Sequence, residues 1–435
     1  MGGWSLKFVP TEYRLVSVGS GRIGKDVGGW TLDMSEKEPS LIRAIYERKE
    51  IRLRNELEGL YRFADWLPIR RMLKNPSVPI CYRSEGLAND LGLKKLYIIF
   101  NGWWPEKGAA MSTGTFKECE AYSVCARLPE NFDGSLVVAS AGNTARAFVK
   151  VCSDNDISLL LFVPHDNLDA LWFDTPVASC VKLICVAPGG DYYDSILMST
   201  AAIAASKRFI PEGGAKNIAR RDGMGTTLLS AAAEIGNIPD VYFQAVGSGT
   251  GAIAAWEAAM RLESDGRWGP NNMRLILSQN APFIPMVESL AADSRVFIVV
   301  DDDTARRQIS QVTAKVLTNR NPPWAIAGGL YDAVRTTAGT ILGVSNDEAG
   351  QAASRFQRLE GVSISPAAAV AVSSLIQAVQ RGIVTESQTI ALNITGGGID
   401  RLKQNHPLYK LEPSVILPPN SDARDIKDAV TSLFV

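Results

Sequence analysis

Four short segments of this chain carry residue types that could do chemistry. The first is Ser112-Thr113-Gly114-Thr115-Phe116-Lys117-Glu118, in which Thr115 and Glu118 have the spacing of a helix capping box. Lys117 then falls in the first helical turn, where the dipole and the free amide hydrogens disfavour an ammonium. A partly desolvated amine can attack an aldehyde and later move a proton on the adduct. The second is Ser140-Ala141-Gly142-Asn143-Thr144, between an apolar strand and a helix. Its glycine permits close backbone approach, and its asparagine supplies both donor and acceptor, which suits an aromatic oxygen or a carboxylate. In the third, Gly247-Ser248-Gly249-Thr250-Gly251, alternating glycines and two hydroxyls make a cradle of backbone amides for an anion. A dinucleotide fingerprint would need glycine where Ala252 stands, and a Walker loop would need a Gly-Lys-Ser/Thr ending. A single phosphate on a small cofactor fits better than either. The fourth, Thr395-Gly396-Gly397-Gly398, puts a neutral hydroxyl where it could face a heteroaromatic nitrogen. Each segment taken alone has an ordinary explanation as a helix cap or a turn.

The elements that must position these segments alternate in type. Strands are predicted at 96–100, 136–139, 158–163, 181–187, 241–246, 274–277, 296–300 and 389–394, several of them apolar throughout. Helices are predicted at 116–128, 144–155, 196–208, 226–235, 252–262, 303–317 and 366–379. Apolar strands alternating with helices indicate parallel sheets covered on both faces, and the length accommodates two such α/β units. Residues 1–75 read as an N-terminal arm or subdomain supporting a larger domain or an oligomer interface. Glycines at 19, 21, 24, 28 and 29 punctuate it, and a charged helical pattern runs from 39 to 60. Residues 76–205 form the first α/β unit, with the lysine and the asparagine loop, and include a smaller mobile domain. Residues 206–435 form the main part of the larger one.

The four segments together, in one α/β chain and in this order, supply what is needed to hold pyridoxal 5'-phosphate: a reactive amine, a ring contact, a phosphate cradle and a partner for the ring nitrogen. On these residues the chain resembles the threonine synthase family, pyridoxal-phosphate enzymes of the tryptophan-synthase-β fold type (fold type II). That family's Thr-Gly-Ser-Phe-Lys-Asp appears as Thr113-Gly114-Thr115-Phe116-Lys117-Glu118. Further matching stretches are Asn217-Ile218-Ala219-Arg220, Gly225-Thr226-Thr227 and Ile238-Pro239-Asp240. The resemblance implies two open, mostly parallel α/β domains. It also implies that Lys117 joins the cofactor aldehyde and shuttles the α-proton. By the same resemblance Asn143 meets the ring oxygen, Gly247, Ser248, Gly249, Thr250 and Gly251 the phosphate, and Thr395 the ring nitrogen. Ser140, Gly142, Thr144 and Arg220 are implied to bind the substrate.

Three departures bear on the reaction. The family's Phe-Lys-Asp-Arg is Phe116-Lys117-Glu118-Cys119 here, the approach to the lysine segment is Asn101-Gly102-Trp103-Trp104-Pro105, and Ser365-Pro366 replaces a Glu-Pro. With these changes the pattern is similar to the cysteate synthase branch found in methanogenic archaea. That branch joins O-phospho-L-serine and sulfite into L-cysteate and phosphate on a route to coenzyme M. Threonine synthesis from O-phosphohomoserine, cysteine formation with sulfide, and a cofactor-free binding protein are the alternatives. Both substrates of the first reading are anions, so the cleft should be locally positive, with Lys107, Arg146 and Arg220 as the available cations. Trp103 and Trp104 could shape the pocket or simply pack.

The bulk properties restrict the field further. The 435 residues carry 45 Lys plus Arg against 46 Asp plus Glu, and 46% are hydrophobic, so disorder and a globally basic nucleic-acid surface are disfavoured. Six cysteines without a Cys-x-x-Cys pair read as reduced thiols in a cytoplasmic protein. His165 and His406 are the only histidines, and neither has a histidine nearby, so no metal site is expected. The uncharged stretch from 362 to 380 is diluted with serine, alanine and glutamine and reads as a buried helix, with no membrane span expected. A homo-oligomer, dimer or higher, is expected from the resemblance and from common symmetry.

Overall fold

The computed structural model describes residues 8–28, 39–140, 142–270 and 272–434; Gly29 and Ala141 lie outside them. Strands that are apolar on both faces can be satisfied only between two layers of helix, and this chain builds two sheets of that kind. The larger runs in the order Thr340–Val344, Arg274–Asn280, Val241–Ala245, Thr389–Gly397, Lys95–Trp104, Ile80–Arg83. Its strands are parallel except at the edge, where Ile80–Arg83 and the short Ala109–Ala110 pair antiparallel with Lys95–Trp104. The smaller sheet is parallel throughout, in the order Phe209–Pro211, Ser135–Ala139, Leu159–Pro164, Val181–Val186, Val415–Leu417. All six residues of Leu159–Pro164 are buried. Burying each of its large apolar side chains contributes about 1.5–3 kcal/mol.

The sheets do not divide at residue 205. Lys95–Trp104 belongs to the larger sheet, while 209–211 and the late strand Val415–Leu417 complete the smaller one.

The N-terminal segment differs from expectation. In place of a helix over 39–60, Ile42–Tyr46 is a strand paired antiparallel with Tyr13–Ser17, followed by a 3-10 segment at Gly59–Trp66. Its apolar residues are spent on anchoring rather than on a helical stripe. Leu41 and Tyr46 enter the core beneath the larger sheet, and the Tyr46 hydroxyl donates to Asp222 at 2.6 Å.

Two other expectations need correction. Residues 296–300 form no strand, and Val296 and Val299 are largely exposed, so their apolar side chains have no second layer to meet. The helix expected from 226 begins earlier, as Ile218–Ile235, because the Asn217 side chain caps it by accepting from the Ala219 amide at 3.0 Å. Those added turns carry Arg220 and Met224. No described helix is long and apolar enough to cross a membrane.

Candidate active site

The helix Lys117–Arg127 starts at the C-terminal ends of the larger sheet's strands, held there by a backbone bond from the Phe116 amide to the Thr395 carbonyl at 3.0 Å. Thr395 is not beyond its strand, as expected, but inside it: Thr389–Gly397 continues through a register shift between Ile394 and Gly397. The Phe116 ring packs with Met224 and Ala254, and a Cβ at Gly251 would come within 2.9 Å of it. One aromatic side chain thus joins the lysine turn to the glycine-rich turn.

That turn leads from Val241–Ala245 into the helix Thr250–Asp265. Gly249 caps the helix at φ +77°, a conformation open to glycine at little cost. The hydroxyls of Ser248 and Thr250 lie 2.8 Å apart, beside first-turn amides that have no partner within a helix. This donor set suits a phosphate. Alanine at 249 would be strained and would bring Cβ within 2.5 Å of Leu330. Left-handed strain of about 1–2 kcal/mol predicts that Gly249→Ala distorts this turn and weakens retention of a phosphorylated ligand by about tenfold, measured by equilibrium dialysis.

Beneath both turns lies a buried polar floor. Asn101 donates to Asn393 at 2.7 Å, and Asn393 donates to Tyr242 and to Gln244, each at 2.8 Å. These bonds fix the spacing of three adjacent strands at the level where the lysine and phosphate turns begin.

The expected capping box does not form. Gly114 turns the chain at φ +65° and Phe116 is already helical, so Glu118 reaches back to Thr113 instead. It accepts from the Thr113 amide at 2.7 Å and hydroxyl at 2.8 Å, and from the Ser77 hydroxyl at 2.6 Å. Burial pushes the Glu118 carboxyl up, more than Lys150 and these hydrogen bonds pull it down. A raised folded pKa makes its stabilisation full at low pH and lost as pH rises through that value. Wild type should therefore lose stability relative to Glu118→Gln on the alkaline side, measured by denaturant unfolding across pH.

Lys117 keeps 18% of its side-chain surface exposed, enough for a ligand to reach it. Burial lowers its pKa, Glu120 opposes that, and Arg220 adds to the lowering; the net direction is down. The amine lies 3.2 Å from the Glu120 carboxylate and 3.9 Å from the Met224 sulfur. Glu120, fully buried, also accepts from the Thr144 hydroxyl at 3.1 Å and from two nitrogens of Arg220 at 3.0 and 2.9 Å. A third Arg220 nitrogen pairs with Glu212 at 2.7 Å. The close approach that allows this contact is at Gly223, where a Cβ would lie 2.3 Å from the Cys119 carbonyl oxygen.

The asparagine loop enters from the smaller sheet. Ser140 accepts from the Gly142 and Ala145 amides at 3.2 and 3.1 Å, which closes the turn. Asn143 accepts from Arg146 at 2.9 Å, and Arg146 also donates to the Thr113 carbonyl at 2.8 Å and stacks on Trp172. Arg146 is therefore a buried brace between the asparagine and lysine segments, not a surface cation. Lys107 is placed over the rings of Tyr82 and Trp104 at the antiparallel edge. Trp104 packs in the core against Phe100, and Trp103 packs on His406.

The structure thus brings Lys117, Thr144 and Arg220 into one bonded cluster, joins Asn143 to the Thr113 turn through Arg146, and sets Gly251 and Thr395 against Phe116. Glu120 and Glu212 were not among the expected site residues. The spacing from 117 to 120 does place two side chains on one helical face, a signal that could have found Glu120; Glu212 has no such signature.

A lysine with a lowered pKa, partly exposed and joined through Phe116 to a phosphate-type cradle, fits a phosphorylated aldehyde. The family model for "Pyridoxal-phosphate dependent enzyme" matches residues 106–396, which span the lysine, asparagine and phosphate segments and end within the fourth, at Gly396. The chain belongs to the pyridoxal-phosphate dependent enzymes. It is homologous to archaeal proteins named cysteate synthase. It is 45% identical to that of Methanocella arvoryzae over 94% of this chain and 96% of the relative. With that of Methanosarcina barkeri the identity is 44%, over 90% and 94%. Among solved structures, maize serine racemase matches with a TM-score of 0.56 at 15% identity, covering 75% of this chain and 91% of that one. A pyridoxal 5'-phosphate-dependent aspartate racemase matches at 0.55 and 15%, covering 75% and 92%. At that identity the likeness is one of fold: this family member has the tryptophan-synthase-β architecture, fold type II.

Proposed function

We propose that this chain converts O-phospho-L-serine and sulfite into L-cysteate and phosphate by a β-replacement that depends on pyridoxal phosphate, in coenzyme M biosynthesis. The observation that carries the reading is the 44–45% identity to cysteate synthases over nine-tenths or more of the chain. When bound, the cofactor supplies an electron sink for the negative charge that develops at the substrate α-carbon.

Lys117 would hold the cofactor aldehyde through its side-chain nitrogen, and the same nitrogen, when free, would take the substrate α-proton. A lowered pKa keeps more of the amine in the neutral form that both tasks need. Gly247, Ser248, Gly249, Thr250 and Gly251 hold the cofactor phosphate with amides and hydroxyls. Asn143, oriented by Arg146, would hold the ring oxygen, and the Thr395 hydroxyl would serve the ring nitrogen as a neutral partner. Ser140, Gly142 and Thr144 would orient the substrate carboxylate, and Arg220, held by Glu120 and Glu212, would border the bound substrate. In this reading the active protein is a homo-oligomer, a dimer or higher.

The test is a mass-resolved assay on the purified protein. Phosphoserine is supplied with sulfite or with sulfide, and phosphohomoserine with neither. The reading expects cysteate and inorganic phosphate from the first pairing. Threonine from phosphohomoserine without cysteate, or cysteine from sulfide alone, would replace it.

A further inference from the structure

We propose that Glu120 is a positioning residue for the reactive amine: its carboxylate binds the ammonium form of Lys117 and, together with Arg220 and Thr144, fixes where that nitrogen sits. The proposal deepens the functional reading and rests on Lys117 being the amine that meets the cofactor.

A surface pair three residues apart on a helix contributes only a few tenths of a kcal/mol and is often replaceable. Glu120 is not such a pair. Its side chain has no exposure, and its two oxygens accept from Lys117, Thr144 and two nitrogens of Arg220. A buried carboxylate is costly unless its oxygens are all matched. It therefore favours the one arrangement in which the Lys117 nitrogen points toward Thr144 and Arg220. Thr144 lies in the loop-to-helix segment next to Asn143, so the contact also registers the asparagine loop on the lysine helix.

The groups around the amine act in opposite directions. From its own helix comes Glu120, and from the helix Ile218–Ile235 come Arg220 and the Met224 sulfur. Glu212, after the strand Phe209–Pro211, pairs with Arg220, and Tyr192, at the start of Tyr192–Ala205, feels Arg220, Glu212 and Glu120. The Phe116 ring also lies near the amine, 4.9 Å away. Among the described residues, Glu120 is the one carboxylate bonded to the nitrogen. When Lys117 takes a proton from substrate, the positive charge develops 3.2 Å from it.

The experiment uses the full chain, freed of bound aldehyde with hydroxylamine. Lys117 is methylated with formaldehyde and cyanoborohydride across pH and quantified by peptide mass spectrometry. Glu120→Gln should move the midpoint of labelling down by about one pH unit, Glu120→Asp should move it back toward wild type, and Arg220→Gln should move it up. General loosening of the helix would move Glu120→Gln upward, toward an ordinary lysine. An upward shift or no shift would therefore overturn the proposal. If Glu120→Gln does not fold, Arg220→Gln is compared with Arg220→Gln/Glu120→Gln, which leaves no unpaired guanidinium, and the same downward step is required. Adding pyridoxal phosphate to wild type separates the two readings. A labelling shift with no visible band would retain the role of Glu120 and reject the cofactor reading. A band with no shift would do the reverse.

Discussion

Lys117→Ala should lose turnover by about 10⁴-fold or more, because in the proposed function it removes both the covalent attachment and the group that moves the α-proton. The visible absorbance formed with pyridoxal phosphate should vanish with it. The fold should survive, since the Lys117 side chain is more exposed than those of Glu120, Arg220 and Glu212, and Glu120 keeps Arg220 and Thr144 as partners. The checks are a product assay, an absorbance spectrum and a melting curve taken on the same preparation. A variant that keeps its visible band would mean that another amine holds the cofactor.

The second large effect concerns the scaffold behind Arg220. Arg221 points to the other side of the helix and is almost wholly buried, pairing with Glu257 at 2.9 Å and donating to the carbonyls of Ala215 and Ile42. Glu257 also pairs with Arg43 at 3.0 Å. Removing one partner of a buried pair leaves the other charge without full compensation, which costs about 3–5 kcal/mol. Arg221→Ala should therefore lower the unfolding free energy by about that amount, measured by denaturant titration. The pair also sets a pH dependence. Burial alone would raise the Glu257 carboxyl, but Arg221 and Arg43 pull it below its ordinary value. Its contribution is then present above the usual carboxylate range and lost as pH falls through the depressed value. The variant should show a smaller acid-side loss than wild type.

What could be read in the sequence was set by local patterns, and what could not was set by long-range partners. The apolar runs 158–163 and 241–246 point directly to the parallel strands Leu159–Pro164 and Val241–Ala245, because a strand buried on both faces has little polar alternation to hide it. Glycine turns and the lysine segment were legible for a similar reason, since the backbone geometry they need restricts residue type. Membership of the late strand Val415–Leu417 in the smaller sheet was not legible, because its neighbour Val181–Val186 lies more than two hundred residues earlier. The N-terminal strand was misread as helix because charged residues from 47 onward mimic an exposed helical face. At the site, Arg146 carries no local sign of its role, since the Thr113 carbonyl and Trp172 are brought to it only by the fold. Glu118 borders the motif but turns away toward Thr113 and Ser77, whereas Glu120, outside the motif, is the carboxylate that faces the amine.

The most direct test is to add pyridoxal phosphate to the full chain, reduce with borohydride, digest, and locate the added mass by peptide sequencing. A single phosphopyridoxyl group on Lys117 is the predicted result. Modification of a different lysine, or none at all after saturating cofactor, would contradict the site described here and the chemistry built upon it.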